Sequence, residues 1–181
     1  MTLSMHSLSV GTFVPMLGSL KGLIGKGAGY AEEKGLDPAT LVNAKLAPDM
    51  FTLAKQVQVG CDQAKDSVAH LTGIEAPRFE APDETLGALE ARIDKVVAYL
   101  DGVDAAAFAG AETRGRDIPL PDGRAISMTG VEFLRDWALP HFYFHVVTAY
   151  DILRHAGVEI GKRDYMTGVA RFIRPAPASH A

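Results

Sequence analysis

Residues 50–71, MFTLAKQVQVGCDQAKDSVAHL, carry the clearest structural pattern in the chain. Apolar or small side chains recur there at alternating steps of four and three. They are Met50, Ala54, Val57, Cys61, Ala64, Val68 and Leu71. On an α-helix this spacing aligns the side chains along one narrow stripe, as in the seam of a helix bundle. The stretch therefore predicts a long bundle helix, which we call helix two and which ends at Gly73.

A second long helix, helix one, is predicted upstream over residues 3–34. Its apolar residues also recur at steps of three and four, and Gly35 ends it because glycine accepts the left-handed conformation that often follows a helix. Pro15 interrupts this pattern and predicts a kink or a restart, since proline cannot donate the backbone hydrogen bond. Asp37 followed by Pro38 predicts a short extra helix, with the aspartate as its cap.

The region before the last helix has a different pattern. Helix three is predicted over residues 84–100, after a proline-containing loop over residues 74–82. Short extended runs at residues 117–120 and 124–128 then flank the turn sequence PDG. That arrangement predicts a small β-hairpin.

The last long helix, helix four, is predicted to begin at a capping box formed by Thr129 and Glu132, and Pro140 is expected to kink or restart it. Together these elements predict an all-α fold, an up-down-up-down four-helix bundle. The short extra helix follows helix one, and the β-hairpin precedes the last helix. We expect a single domain over residues 1–170 and a frayed tail over residues 171–181.

Composition excludes several functional classes. The 181 residues carry a formal net charge of -4 and a pI of about 5.8, whereas a general nucleic-acid binder needs a basic surface. Cys61 is the only cysteine, so neither an internal disulfide nor a cysteine-based zinc site is possible. We find no signal peptide and no run of roughly 20 apolar residues, the length that a membrane span needs. We therefore expect a cytoplasmic protein that binds neither nucleic acid nor membrane.

One pair of side chains in helix four indicates a candidate functional site. His141 and His145 are four residues apart, so on a helix they lie one above the other on the same face. Two imidazoles at that spacing can chelate one metal ion, but a metal site needs at least a third ligand. From the apolar centre of the helix, we expect His145 to point into the bundle and His141 to lie at its edge.

Helix two is the expected source of a third ligand. His70 lies roughly 160° from the seam, on the outer face, and is therefore disfavoured. If helices two and four run parallel, the first turns of helix two lie level with the histidine pair. We rank Asp62 and Gln58 above Gln56 there, because Gln56 points away from the seam in this projection.

Each of these residues also has an ordinary structural interpretation. A buried histidine is often a polar core residue with one or two hydrogen bonds. Asp62 could face water or pair with Lys65, and Tyr143 could serve packing alone. Cys61 lies on the seam and is expected to be an inert core residue, since a buried thiol resists ionisation.

Three stretches carry a family resemblance. Residues 47–58 read APDMFTLAKQVQ, residues 139–157 read LPHFYFHVVTAYDILRHAG, and residues 161–165 read GKRDY. With these motifs the chain resembles the DinB/YfiT-like superfamily of four-helix bundles, within a bacterial branch of unknown function. The likeness extends from Leu3 to about Gly168.

The resemblance implies a divalent metal held by three histidines, one from helix two and two from helix four at an HxxxH spacing. In some members it implies a metal-dependent thiol transferase or hydrolase activity. His141 and His145 match the helix-four pair, whereas helix two offers Gln56 and Gln58 near the expected place. Glutamine is a poor ligand for transition metals. The resemblance therefore implies either a degenerate site or a site rebuilt with Asp62.

Two hypotheses follow from these residues. The favoured one is a metal-free protein that binds a small molecule near His145, Tyr143, Gln58 and Gln56, or acts as a scaffold, and forms a homodimer. The glycine-rich surface of helix one would allow close approach of a second copy. The alternative is an enzyme in which His141, His145 and a carboxylate hold zinc, nickel, iron or manganese.

Overall fold

Helices make up most of the described chain. The computed structural model describes residues 3–79 and 83–174, so part of the predicted 74–82 loop and most of the predicted tail lie outside the described residues. The long helices are Met5–Lys34 (α1), Leu53–Thr72 (α3), Leu86–Asp101 (α4) and Leu139–His155 (α6), and the short α2 is Pro38–Val42. The elements predicted up to helix three are therefore present, with small differences in their ends.

The helix ends show why the chain turns where it does. Gly35 and Gly73 follow α1 and α3 with φ angles of 62° and 79°, which only glycine adopts without strain. The Thr52 hydroxyl accepts a hydrogen bond from the backbone N–H of Lys55 at 3.2 Å and thereby caps the start of α3.

Helix α1 is uninterrupted through Pro15, so the predicted restart there is wrong. The hydroxyl of Ser19 donates to the carbonyl of Pro15 at 3.2 Å, one turn later. By length and apolar composition α1 could cross a membrane, in contrast to the expectation from the sequence. Buried core helices of water-soluble bundles satisfy the same criterion, and Phe13 and Leu17 of α1 are fully buried in the bundle.

The predicted hairpin is present, and the last helix starts directly after it. Strands Arg116–Pro119 (β1) and Ala125–Met128 (β2) pair antiparallel. The predicted capping box at Thr129 opens the short helix Gly130–Glu132 (α5). A π-helical segment, Phe133–Ala138, then connects α5 to α6 without a break. The wider π turn lets Pro140, which lacks a donor, enter the helix without a restart.

The directions of α1, α4 and α6 follow from their side-chain contacts. Later positions of α1 meet earlier positions of α4 and later positions of α6. The pairs are Lys21 with Asp94 and Gly25 with Glu90 in the first case, and Phe13 with Phe142 and Gly27 with Leu153 in the second. Helix α4 is therefore antiparallel to α1, and α6 is parallel to it.

Helix α3 completes the arrangement. Asp62 contacts Arg92, and Ile74 just beyond α3 accepts a hydrogen bond from Tyr99, so α3 and α4 run parallel. His70 near the end of α3 contacts Phe133, which precedes α6, whereas Gln56 near the start of α3 contacts His145 within α6. Helices α3 and α6 therefore run antiparallel. The bundle is thus up-down-down-up, and the predicted up-down-up-down order is wrong. In the connection between α3 and α4, residues 73–85, Ile74 lies beside Tyr99 near the end of α4, whereas Asp83 lies beside Gln58 near the start of α3. The two described parts of this connection therefore lie at opposite ends of the parallel helices.

A return segment follows α6 and packs along α1. It contains a short helix, Lys162–Tyr165 (α7), and a 3₁₀ turn, Thr167–Phe172. Lys26 pairs with Asp164 at 2.6 Å, and the hydroxyls of Ser19 and Thr167 are 2.6 Å apart. Both contacts lie before residue 170, the predicted end of the domain, and residues 171–174 are exposed.

Candidate functional site

The centre of the site is a buried contact between α3 and α6. His145 is 5% exposed and Gln56 is 2% exposed, and Nδ1 of His145 lies 2.6 Å from Oε1 of Gln56. Because an amide oxygen only accepts, Nδ1 carries the proton and donates it. No described protein group hydrogen bonds to the opposite ring nitrogen, Nε2, which is left as an acceptor.

The close approach of the two helices explains why Gln56 reaches the histidine. Gly60, one turn after Gln56 on the same face, lies against His145, and a Cβ at that glycine would be 3.7 Å from the Cβ of His145. Helix α3 therefore buries two adjacent stripes, and Leu53, Gln56 and Gly60 belong to the second one, which faces α6. The projection that ranked Gln56 last counted only the seam, so the structure reverses that ranking.

The predicted level of the histidines is correct although the predicted helix direction is not. His145 lies level with the first turns of α3, as expected from the sequence. A restart at Pro140 would have placed His145 near the start of a helix, whereas the helical run from Gly130 is continuous, so His145 lies in its middle. His145 lies later in its helical run than predicted, and α6 runs antiparallel to α3 rather than parallel. These two differences cancel, so His145 still lies level with the first turns of α3.

Aromatic rings surround the imidazole of His145. The His141 ring is half-buried, with its centroid 4.9 Å from that of His145, and Trp137 packs edge-on against His141 at 5.8 Å. Phe51 stacks over His145 at 6.4 Å, and Phe144 packs edge-on at 5.3 Å. Both phenylalanines are exposed, so one side of the site faces solvent with an apolar rim.

Burial keeps the central imidazole neutral. Burial, together with the smaller effect of charge on the neighbouring His141, lowers the pKa of His145 to about 4. Burial also lowers the pKa of His141. At neutral pH both rings are therefore uncharged, which leaves nitrogen lone pairs available for a ligand.

Acidification should therefore destabilise the protein. Between pH 6.5 and pH 4 the unfolded chain binds a proton at residue 145 that the folded chain does not, so stability is lost as the pH falls. We expect a loss of roughly 3 kcal/mol from this residue between pH 7 and pH 4. Urea unfolding of wild type and His145→Gln over that range measures it. A variant with the same acid sensitivity as wild type would contradict the assignment.

Changing the hydrogen-bond partner should move the same pKa in the opposite direction. Gln56→Glu places a carboxylate against Nδ1 of His145, and an adjacent negative charge favours the protonated ring. We expect the pKa of His145 to rise by about 2 units, measured by NMR titration of its ring protons. Gln56→Met, which is apolar and similar in length, is the control and should not raise it.

The other predicted site residues on α3 lie elsewhere. Nε2 of Gln58 donates to Asp83 at 3.3 Å, and Asp62 is 3.4 Å from Lys65 and 3.5 Å from Arg92. These side chains face α4 and the 73–85 connection. The structure brings His141, His145 and Gln56 together, but not Gln58 or Asp62.

The donor set at the histidine pair does not fit a stable metal centre. Within residues 3–79 and 83–174, no group of three His, Cys, Asp or Glu side chains is arranged to hold a metal ion. Gln56, the closest neighbour, uses its oxygen on Nδ1 of His145. Two imidazoles alone fall short of the three or four protein ligands typical of zinc sites.

The remaining residues singled out in the sequence have distinct surroundings. Tyr143 lies on the opposite side of α6 from His145 and lines a groove beside α1. Cys61 is buried, and burial raises its pKa to about 12, which agrees with an inert core thiol. His70 packs edge-on against Phe133 at 5.0 Å, far from the histidine pair.

Phe51 and Phe144 were missed by the sequence reasoning. The first immediately precedes the cap of α3, and the second lies on the exposed side of α6, so neither belongs to an apolar stripe. Phe144 directly precedes His145 and could have been found from that position, whereas no sequence signal marked Phe51.

Comparisons with known proteins identify the family of the chain. A crystal structure of a DinB family member protein from Shewanella denitrificans, at 1.83 Å resolution, matches with a TM-score of 0.83 and 42% sequence identity. The match covers 96% of this chain and 94% of that chain. No curated protein matches the sequence. The family model described as a domain of unknown function (DUF1993) matches residues 5–166, and the chain therefore belongs to this DinB-like family.

Proposed function

We propose that the protein binds a small molecule at the face of α6 formed by His145, His141, Phe51 and Phe144, without a metal. The observation that carries this proposal is the 2.6 Å hydrogen bond between Nδ1 of His145 and Gln56. It fixes the neutral ring with Nε2 as the acceptor. A ligand that complements the site has a hydrogen-bond donor and a flat apolar body.

The apolar rim of the site supports a ligand with a flat apolar body. Phe51 and Phe144 are exposed and lie on either side of the imidazole, one stacked and one edge-on. A planar ring can pack against both while its donor reaches Nε2. Trp137, the only tryptophan in the chain, lies next to His141.

Phenol and anisole together test this site, because they share a ring and differ in the donor. We expect phenol, but not anisole, to shift the NMR signals of the His145 and His141 ring protons. His145→Gln should abolish the response, and His155→Gln, at an exposed position on the same helix, should not. Equal responses to both probes, or none to phenol, would contradict the proposed recognition.

The alternative function is a divalent-metal-dependent enzyme that uses His141 and His145. The specific observation in its favour is again the hydrogen bond from Nδ1 of His145 to Gln56. In metal-binding histidines, the nitrogen that does not hold the metal commonly donates its N–H to a protein oxygen. Elemental analysis of untagged protein separates the two functions. Stoichiometric zinc, nickel, iron or manganese that is lost in His145→Gln would favour the enzyme.

We also propose that the protein forms a homodimer through α1. Gly11, Gly18 and Gly22 are exposed, and a Cβ at each would meet nothing within 4 Å, so a second helix could approach closely. Ser19 and Gly25, part of the same small-residue surface in the sequence, instead face Thr167 and Glu90. Sedimentation velocity over a range of concentrations, with Gly18→Trp as the blocking variant, tests the dimer.

A further inference from the structure

A groove lies between α1 and the return segment, on the opposite side of α6 from His145. Its volume is about 340 Å³, within the range of small-molecule sites. Aromatic and sulfur-containing side chains form part of its wall, including Tyr143, Tyr165, Phe172 and Met16. The groove therefore offers a concave apolar surface that the histidine site does not use.

Contacts in the middle of the return segment hold it against α1. Asp164 pairs with Lys26, and Thr167 contacts Ser19. Between the groove walls, Gly168 approaches Pro15 so closely that a Cβ at the glycine would lie 3.2 Å from the proline. These contacts fix the spacing of the two walls in the absence of a ligand.

Hydroxyl groups in the groove are free to bind a ligand. Tyr143, Tyr165 and Thr12 line it, and within the described part of the chain none of the three hydroxyls has a protein hydrogen-bond partner. Burial raises the pKa of both tyrosines, and the nearby Tyr143 charge would raise that of Tyr165 further. Both phenols therefore stay protonated and can donate hydrogen bonds at neutral pH.

Among the described residues, the groove carries only positive charge. Arg171 is the only charged one of those that line it, and none of them is a carboxylate. The guanidinium lies 4.8 Å from the centre of the Phe172 ring and has no carboxylate partner among the described residues. An arginine over an aromatic ring presents its donors at an apolar wall, where an anion is favoured.

We propose that this groove binds a small carboxylate with an apolar body, such as a medium-chain or aromatic acid. The carboxylate would accept hydrogen bonds from Tyr143 and Tyr165 and pair with Arg171, and the apolar body would lie against Met16 and Phe172. This site is independent of the histidine site, because Tyr143 and His145 are two residues apart and point to opposite sides of α6.

Octanoate and octan-1-ol, which share a chain and differ in charge, are the probes for calorimetric titration of the full protein. We expect octanoate to bind at least about tenfold more tightly than octan-1-ol, because the pair with Arg171 is charge-assisted. Arg171→Gln should weaken octanoate binding by about tenfold. Tyr143→Phe, which removes one hydroxyl, should weaken it by about threefold to tenfold.

Tyr150→Phe is the matched control. Tyr150 lies on the same helix and packs against Tyr165 at 6.1 Å, but it does not line the groove, so this variant should bind octanoate as wild type does. The proposal is overturned if octanoate does not bind, if octan-1-ol binds equally well, or if neither groove variant weakens binding. The ring-proton signals of His145 should stay unchanged throughout, which separates this result from that at the histidine site.

Discussion

Arg92→Ala is expected to lower the free energy of unfolding by about 3–5 kcal/mol. Arg92 is 6% exposed, pairs with Asp83 and Asp62, and lies 3.9 Å from the centre of the Phe79 ring. Removing the guanidinium leaves the largely buried Asp83 carboxylate without its charge partner, and that unpaired charge causes most of the loss. Urea unfolding at pH 7 measures the change.

A surface ion pair on the same helix is the control. Lys21 and Asp94 also connect α4 to its neighbour, at 2.6 Å, but both side chains are exposed. Lys21→Ala should cost less than about 1 kcal/mol, because solvent screens such pairs. Arg92→Met combined with Asp83→Leu should regain most of the lost stability, since no buried charge then remains unpaired. Equal losses for the two single variants would contradict this account.

The same substitution should expose the connection between the parallel helices. Arg92 contacts both Phe79 and Asp83, which belong to the connection between α3 and α4. Arg78 within it is highly exposed and is a trypsin site. We therefore expect faster tryptic cleavage after Arg78 in Arg92→Ala than in Lys21→Ala.

Gly130→Ala is expected to destabilise the protein by about 3 kcal/mol or more. Gly130 begins the last helical run, and a Cβ there would collide with the carbonyl oxygen of Ala111 and lie 2.9 Å from its carbonyl carbon. The obstacle is backbone, so rotation of a side chain cannot relieve it. The gain in helix propensity, about 1 kcal/mol, is too small to offset the collision.

Gly29→Ala should have the opposite effect on stability for the same chemical change. Gly29 is exposed within α1, and a Cβ there would meet nothing within 4 Å. The variant should gain about 0.5–1 kcal/mol, because alanine has less freedom to lose on folding. Urea unfolding of both variants tests the pair, and a Gly130→Ala protein as stable as wild type would show that the close approach is absent.

Local sequence signals were sufficient for the elements of the fold. Gly35, Gly73 and the capping box at Thr129 each act within a few residues, so the ends they predict agree with the structure. Helix direction depends on how the 73–85 connection packs, and its partner Arg92 lies several residues later in α4. No local pattern carries that information, so the up-down-up-down order could not be tested from sequence alone.

The histidine site was predictable only in part, because its partner on α3 depends on how the two helices pack. The four-residue spacing of His141 and His145 places both on one face, and apolar periodicity correctly put His145 inside. The partner on α3 depended on which of two buried stripes faces α6. Gly60, one turn after Gln56, was the available signal, because a glycine there permits the close approach that brings Gln56 to His145.

The return segment runs along α1 towards the start of that helix. Its successive residues reach earlier and earlier parts of α1: Asp164 meets Lys26, Thr167 meets Ser19, and Gly168 lies beside Pro15. The two ends of the described chain therefore lie near the same end of the bundle. A circular permutant with these ends joined, and opened at the exposed hairpin turn, would keep every helix in its place.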